Sequence, residues 1–335
     1  MKEIIAVAVD AMGGDNAPGE VVKAAVLAVN ECKEVKVYLT GKSDEIEKEL
    51  AGFTYDKERI VIVPATEVIE TAEGPVIAIR TKKNSSLVKA LELVKNNECS
   101  AMVSAGSTGA LLVGGQLIVG RIKGIKRPPL APLIPTATGV ALLIDCGANV
   151  DARAEHLLQF ARMGTIYMKH IVGIKNPRVA LVSNGAEEEK GNALTKETYP
   201  LLKDCQDINF VGNIEAREIP AGACDVIVCE AFVGNVILKL YEGVGATLIG
   251  MIKKGMKSTL RSRIGGLLVK PALKTTLKSF DTEEYGGAPL LGLKGLVVKV
   301  HGNAKAAEMK NAILQCVKFT EEKINDKLIA LLESR

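Results

Sequence analysis

The chain has 335 residues, 47% apolar and 24% charged, with 43 Lys+Arg against 39 Asp+Glu and a formal net charge of +4. That apolar share excludes a disordered or collagen-like chain, and the length suits one large α/β domain or two ordinary ones. A charge this small gives no argument for nucleic acid, and the absence of Trp, with 6 Tyr and 6 Phe, argues against a base-stacking platform.

Short runs rich in Val, Ile, Leu and Ala alternate with longer helix-compatible stretches. In chain order the pattern predicts a strand over 4–9, a helix over 20–31, strands over 35–39 and 60–63, a helix over 85–96 and a strand over 101–104. It continues with a strand over 140–144, a helix over 152–170, strands over 179–182, 226–228 and 296–300, and a helix over 304–332. The strands lack polar alternation, as expected of parallel strands covered on both faces. This rhythm predicts a layered α/β fold with ligands beyond the carboxyl ends of the strands. Pro128, Pro129, Pro132 and Pro135 make their stretch a rigid loop or edge segment and the best internal boundary in what otherwise reads as a single domain over 1–335.

Three loops that follow predicted strands carry unusual chemistry. The first, over 10–19, holds Asp10, Gly13, Gly14, Asp15, Asn16 and Pro18. Its glycines let backbone approach a ligand, and Asp15 or Asn16 is placed to cap a helix whose free N–H groups attract an anion. A plain tight turn with a capping Asp explains the same spacing. The second, Ser104-Ala105-Gly106-Ser107-Thr108-Gly109, is either a phosphate cradle or a hydroxyl-capped helix start. It lacks the Gly-Lys-Ser/Thr ending of a P-loop, and Met102 stands where a nucleophile elbow needs Gly. The third, over 183–192, offers Lys190 and Asn192 to an anion or carbonyl oxygen, with Asn235 in the later Phe232-Val233-Gly234-Asn235. Three successive glutamates there are more often a solvated face or a helix start.

The seven cysteines form no C-x-x-C pair, so neither a disulfide framework nor a cysteine zinc site is indicated. His156, His170 and His301 have no metal spacing; the first two read as packing or surface residues, whereas His301 ends a strand in Val300-His301-Gly302-Asn303. No metal and no cofactor is expected. No G-x-G-x-x-G follows a strand, which disfavours a dehydrogenase. The start Met1-Lys2-Glu3 runs into a strand without a secretory h-region, and no run approaches 18 consecutive apolar residues. A reduced, cytoplasmic protein without a membrane span is therefore expected.

From 243 to 280 there are eight cations, Lys253, Lys254, Lys257, Arg261, Arg263, Lys270, Lys274 and Lys278, and no Asp or Glu. Leu248, Ile252, Met256, Leu260, Ile264 and Leu268 recur at four-residue steps beside them, interrupted by Gly255, Gly265, Gly266 and Pro271. A cationic amphipathic helix of this kind lies in a membrane interface, holds an acidic partner, or is a core helix with a solvated face.

The run from Ala8 to Glu20 resembles the signature of the bacterial phosphate acyltransferase (PlsX) family. Further matches begin at Ser104 (SAGSTGALL), Arg127 (RPPLAPLIPT), Gly147 (GANVDARAEHLLQFA), Asn184 (NGAEEEKGN), Phe232 (FVGNVILK) and Tyr285 (YGGAPLLGLKG), in order along nearly the whole chain. Ser107 stands where the family has Asn, and Cys229-Glu230-Ala231 where it has an Asp-Gly pair. The resemblance implies a three-layer α/β/α fold with a mostly parallel sheet, like isocitrate/isopropylmalate dehydrogenase and phosphotransacetylase, in a homodimer. It implies formation of acyl phosphate from acyl carrier protein thioester and inorganic phosphate for phospholipid synthesis, peripheral to a membrane. Such a reaction needs charge neutralisation and alignment more than a strong base. Asp10, Gly13, Gly14, Asn16, Ser104, Gly106, Thr108 and His301 are the candidate phosphate or substrate contacts, and Lys190, Asn192 and Asn235 the candidate catalytic donors. Lys253, Lys254, Lys257, Arg261 and Arg263 are the candidate docking cations. A coenzyme A-dependent phosphotransacetylase-like enzyme and a non-catalytic membrane adaptor for acyl carrier protein are the alternatives.

Overall fold

The computed structural model describes residues 4–278 and 286–333, leaving out the side chains of 274–278 and 333. Lys274 and Lys278 thus lie outside the described side chains, and residues 279–280 of the cationic run and Tyr285 outside the described residues. In chain order the elements are β1 (Ile5–Asp10), α1 (Gly19–Glu31), β2 (Val35–Gly41), α2 (Ser43–Leu50), β3 (Ile60–Pro64), α3 (Pro75–Thr81), α4 (Ser86–Lys95), β4 (Ala101–Ser104) and α5 (Thr108–Gly114). Then come β5 (Leu133–Thr136), β6 (Gly139–Ile144), α6 (Ala154–Tyr167), β7 (Arg178–Ser183), α7 (Ala193–Lys203), β8 (Asn209–Glu215) and β9 (Val226–Val228). The chain closes with α8 (Ala231–Lys257), α9 (Leu260–Lys278), β10 (Ala288–Leu290), β11 (Leu296–Lys299), α10 (Ala306–Glu321) and α11 (Ile324–Glu333).

These elements fall into two compact units, where the sequence suggests one domain. Unit 1 comprises Met1–Pro132, Arg162–Asn176 and Glu283–Arg335; unit 2 comprises Leu133–Ala161 and Pro177–Thr282. The first boundary lies inside the proline run, and the division follows from each unit having its own sheet and core. The mostly parallel α/β architecture that the rhythm predicts is present, distributed over two sheets.

In unit 1 the strand order is β10-β11-β4-β1-β2-β3, parallel except where β10 meets β11. Val7, Val9, Val37, Leu39, Met102, Val103 and Val297 are buried, which requires helices on both faces of the sheet. Each such side chain stabilises the fold by about 1.5–3 kcal/mol relative to exposure. Helix α1 supplies Val22, Ala25 and Val29 to this core. Glu20 in its first turn accepts from Ala306 N at 2.7 Å, satisfying a free amide at the start of α10. The helix expected over 304–332 is two helices, because Lys323 adopts φ +50 between α10 and α11.

In unit 2 the order is β5-β6-β9-β7-β8, parallel except for β5 against β6, and Pro135 lies in the edge strand β5. Ile134, Ala141, Leu143, Ile214, Ile219 and Ile227 form its core, with Val233, Ile237, Leu238 and Tyr241 of α8 packed against it. Tyr241 Oη donates to Pro135 O at 2.5 Å. After Glu242 most of α8, and most of α9, is exposed. The expected interruptions are corrected: Gly255 lies inside α8, and Gly265, Gly266 and Pro271 inside α9. The break falls at Ser258-Thr259, where Thr259 Oγ1 accepts from Ser262 N at 3.0 Å and starts the new helix. The expectation of no membrane span rests on consecutive apolar runs, which interspersed glycines and charges interrupt in α8. Among the described residues α8 is long and apolar enough to cross a bilayer, with an 18-residue window of mean hydropathy 1.3 that is 6% buried.

Candidate active site

In unit 1 the chain steps from β1 outward to β2 and β3, then returns to place β4 on the other side of β1. Strand order reverses there, and ligands of such sheets bind beyond the carboxyl ends at that reversal. The last residues of β1 and β4 are Asp10 and Ser104, and Ser104 Oγ donates to Asp10 Oδ2 at 2.7 Å. Met12 N donates to Asp10 Oδ1 at 3.3 Å, and Gly106 N to Ser104 Oγ at 3.0 Å. Asp10 is 2% exposed and Ser104 0%. Burial raises the Asp10 carboxyl pKa above its usual range; hydrogen bonds from Ser86, Ser104 and Met12 N and the charge of Lys299 offset this in part. These two side chains therefore hold the two loops together at the carboxyl ends of β1 and β4.

Gly13 has no alternative, because a Cβ would sit 2.5 Å from Asp10 Oδ2 and 2.8 Å from Gly106 N. Gly14 has φ +100 and passes so close to Gly302 O that a Cβ would approach it to 2.9 Å. Neither Asp15 nor Asn16 caps α1 through its side chain, a correction to the spacing argument. Pro18 holds the N-cap place without a side-chain bond, and Asn16 Nδ2 donates to Asn303 O at 3.0 Å and Ala304 O at 3.2 Å. Asp15 N donates to Gly302 O at 2.7 Å. The 301–304 turn is thus docked on the glycine loop, which brings exposed His301 to this end of the sheet. Thr108, exposed, opens α5, while Ser107 caps it by accepting from Ala110 N at 3.4 Å. Lys299 was missed from sequence: it ends β11, its Nζ donates to Ala105 O at 3.0 Å and to Val300 O, and its charge acts on Asp10. A cation closing a buried strand two residues before His301 was the available signal.

Unit 2 gathers the other candidates at the carboxyl end of its own sheet. Exposed Lys190 and Asn192 follow β7, and exposed Asn235 lies in the second turn of α8 after β9. Asn192 is the N-cap of α7, its Oδ1 accepting from Thr195 N at 2.9 Å and Thr195 Oγ1 at 2.7 Å, so Nδ2 is the group it can offer a ligand. Glu230 caps α8, accepting from Phe232 N at 2.6 Å and Val233 N at 2.9 Å. Asp145, at the end of β6 and unnoticed in the sequence, accepts from Ala148 N at 3.3 Å and from Asn149 N and Nδ2 at 2.8 and 2.7 Å. It holds the 145–149 loop so close to α8 that a Cβ on Gly234 would lie 2.0 Å from Asp145 O. Asn235 Oδ1 faces the same loop, 3.8 Å from the Cβ position of Gly147.

Lys253, Lys254, Lys257, Arg261 and Arg263 are exposed on α8 and α9, away from these loops along the chain. His156 is buried in α6, with Nδ1 accepting from Arg153 N at 3.1 Å, and His170 lies 3.6 Å from Glu322. All seven cysteines are free. Burial pushes the Cys146 thiol up to about 12 and raises that of Cys229 well above its ordinary range, so neither supplies a thiolate beside these loops. Among the described residues no three His, Cys, Asp or Glu are grouped to hold a metal.

The chain matches the family model described as fatty acid synthesis protein over residues 5–327. It is 52% identical over 322 residues to a phosphate acyltransferase of Clostridium perfringens, covering 96% of this chain and 95% of that one. It is 51% identical to a phosphate acyltransferase of Clostridium botulinum, covering 96% and 97%. Among solved structures, a phosphotransacetylase from Streptococcus pyogenes superposes with TM-score 0.62 at 18% identity, covering 95% of this chain and 94% of that one. A branched-chain phosphotransacylase from Enterococcus faecalis V583 does so with TM-score 0.55 at 15% identity, covering 95% and 100%. The solved structures share the fold, and the near-complete match at half identity decides the rest: this enzyme chain belongs to the phosphate acyltransferase (PlsX) family.

Proposed function

We propose that the enzyme moves the acyl group of an acyl carrier protein thioester onto inorganic phosphate, giving acyl phosphate and the free carrier thiol, as a step toward phospholipids. A phosphate oxygen attacks the thioester carbonyl, the C–S bond breaks as the tetrahedral oxyanion collapses, and the departing thiolate takes a proton from solvent. Phosphate is already an anion at neutral pH, so binding and alignment are the main demands. The observation that carries this reading is the glycine-lined reversal point, where Gly13, Gly14 and Gly106 bring backbone to an anion and Asp10–Ser104 fixes the loops. Thr108, Asn16 and His301 border it; Lys190, Asn192 Nδ2 and Asn235, at the carboxyl end of the unit 2 sheet, are donor groups of the kind that phosphate charge and a developing oxyanion need.

Direct attack, without an acyl-enzyme, fits the state of Ser104 and of the two cysteines at the strand ends of unit 2. Ser104 is 0% exposed with its hydroxyl engaged, and Cys146 and Cys229 are buried thiols. The exposed stripe Phe232, Val236, Leu240, Val244, Leu248 and Met251 on α8 supports a homodimer. The cations beyond it support peripheral attachment at the cytoplasmic membrane surface.

The test is phosphate-dependent thiol release from matched acyl carrier protein and coenzyme A thioesters, with intact-mass detection of the protein during turnover. The carrier thioester should be the better donor, Lys190→Ala and Asn235→Ala should each slow turnover about 100-fold, and no acylated protein should accumulate. A preference for coenzyme A would sink the carrier assignment, an acyl-enzyme the direct attack, and near-normal turnover of both folded variants the donor assignment.

A further inference from the structure

Unit 1 holds a second built feature, toward the amino end of β11 and thus away from Asp10 and Ser104 at the carboxyl ends of β1 and β4. A cavity of about 540 Å³ is lined by Ile122, Lys123, Lys294, Asp326, Ile329 and Leu332 among others. Lys294 precedes β11, and the four residues of that strand alone carry the chain about 13 Å to the catalytic end. The walls are fixed by hydrogen bonds: Ile122 N donates to Gly292 O at 3.0 Å, Lys294 N to Gly120 O at 2.9 Å, and Asn325 Nδ2 to Leu293 O and Lys294 O at 3.1 and 3.0 Å. The volume lies within the range of about 300–1,000 Å³ usual for small-ligand sites.

The chemistry of this lining is divided. Ile122 is 5% exposed and, with Ile329 and Leu332, provides an apolar floor. Lys123 and Lys294 are exposed cations at its margin without an ion pair among the described residues, against one acid, Asp326. A neutral apolar ligand would make no use of the two ammonium groups, and a small inorganic anion would make no use of the apolar floor. From this division we infer that the cavity binds a single-chain alkyl anion, head group on Lys123 and Lys294 and tail on Ile122, Ile329 and Leu332. A carboxylate and a phosphate monoester share that chemistry. The site is separate from the acyl-transfer loops, and the inference does not rest on the reaction assigned to them.

The measurement is methyl NMR of the full-length protein labelled at the isoleucine δ1 methyls, titrated in separate arms with octanoate, octyl phosphate and octanol. The Ile122 and Ile329 methyls should shift saturably with at least one anion, the better arm telling carboxylate from phosphate. Octanol should bind about tenfold more weakly, as should the anion to Lys123→Glu/Lys294→Glu. Each methylene removed from the tail should weaken binding about fourfold. Absence of a shift at both methyls, equal affinity for octanol, or an unchanged titration in the folded double variant would overturn the assignment. Shifts confined to other isoleucines would place the alkyl anion elsewhere and overturn it equally.

Discussion

Asp10 sits in a place that is 2% exposed, and its three hydrogen-bond donors do not cancel the cost of burying its charge. Its folded pKa is raised above the ordinary value of 3.8, so the native state holds this proton to higher pH than the unfolded chain. The associated stability is fully present below the unfolded pKa and is lost as pH rises through the folded one. Asp10→Asn removes that titration while adding a pH-independent offset from the altered hydrogen bonds. Measured as urea unfolding midpoints from about pH 4 to pH 7, the variant should gain steadily on the wild type. Parallel midpoints across that range would show that Asp10 does not titrate differently on folding. The same residue shows what sequence can and cannot reveal about the site. Asp10, Gly13 and Ser104 stand out in sequence as strand-end and glycine-loop residues, but only coordinates reveal that two of them spend their polar atoms on each other. Lys299, Asp145 and Glu230 were harder to see, because their partners are carbonyls and amides, which leave no pattern in side-chain identity.

At the level of elements, every strand between two neighbours was legible, as was the edge strand β3 with its unbroken Ile-Val-Ile-Val run, and the three that escaped, β5, β8 and β10, all lie at sheet edges. Leu-Ile-Pro-Thr and Ala-Pro-Leu each contain a proline, and β8 carries Gly212 beside a register shift, so none presents a continuous apolar run. Helix ends follow the same logic. A glycine after Glu322 would have signalled the end of α10, but the chain places Lys323 there at φ +50. A side chain is strained in that conformation, so Lys323→Gly should raise stability by about 0.5–1 kcal/mol, read as a higher urea midpoint. A lower midpoint would mean that the lysine itself supports the joint. Helix α8 raises a different issue, since Leu240 is 65% exposed in the middle of an apolar stripe at four-residue spacing. Soluble chains rarely leave such a stripe uncovered. If a second copy covers it, Leu240→Glu should halve the mass measured by light scattering while circular dichroism stays unchanged. An unaltered mass would assign the stripe to another partner.

Across the whole molecule, the charge of +4 is an average over two unlike regions. Without the eight cations of 243–280, 35 Lys+Arg face 39 Asp+Glu, leaving −4 on the rest of the chain. Exposed charges are felt over a Debye length of about 8 Å at physiological salt. An anionic surface therefore attracts the α8–α9 segment more than the net-acidic remainder of the chain. Each basic residue near such a surface contributes about 1 kcal/mol, and exposed Leu260, Leu267 and Leu268 on α9 can enter its apolar layer. Reversing Arg261 and Arg263 to Glu should weaken binding to anionic vesicles more than tenfold, measured by co-sedimentation, and leave binding to neutral vesicles unchanged. Raising salt from about 0.1 to 0.5 M should weaken the wild type more than the double variant, because less of the variant's affinity is coulombic. Equal binding of the two proteins to anionic vesicles at low salt would remove the charge from the attachment and leave only the apolar residues to explain it.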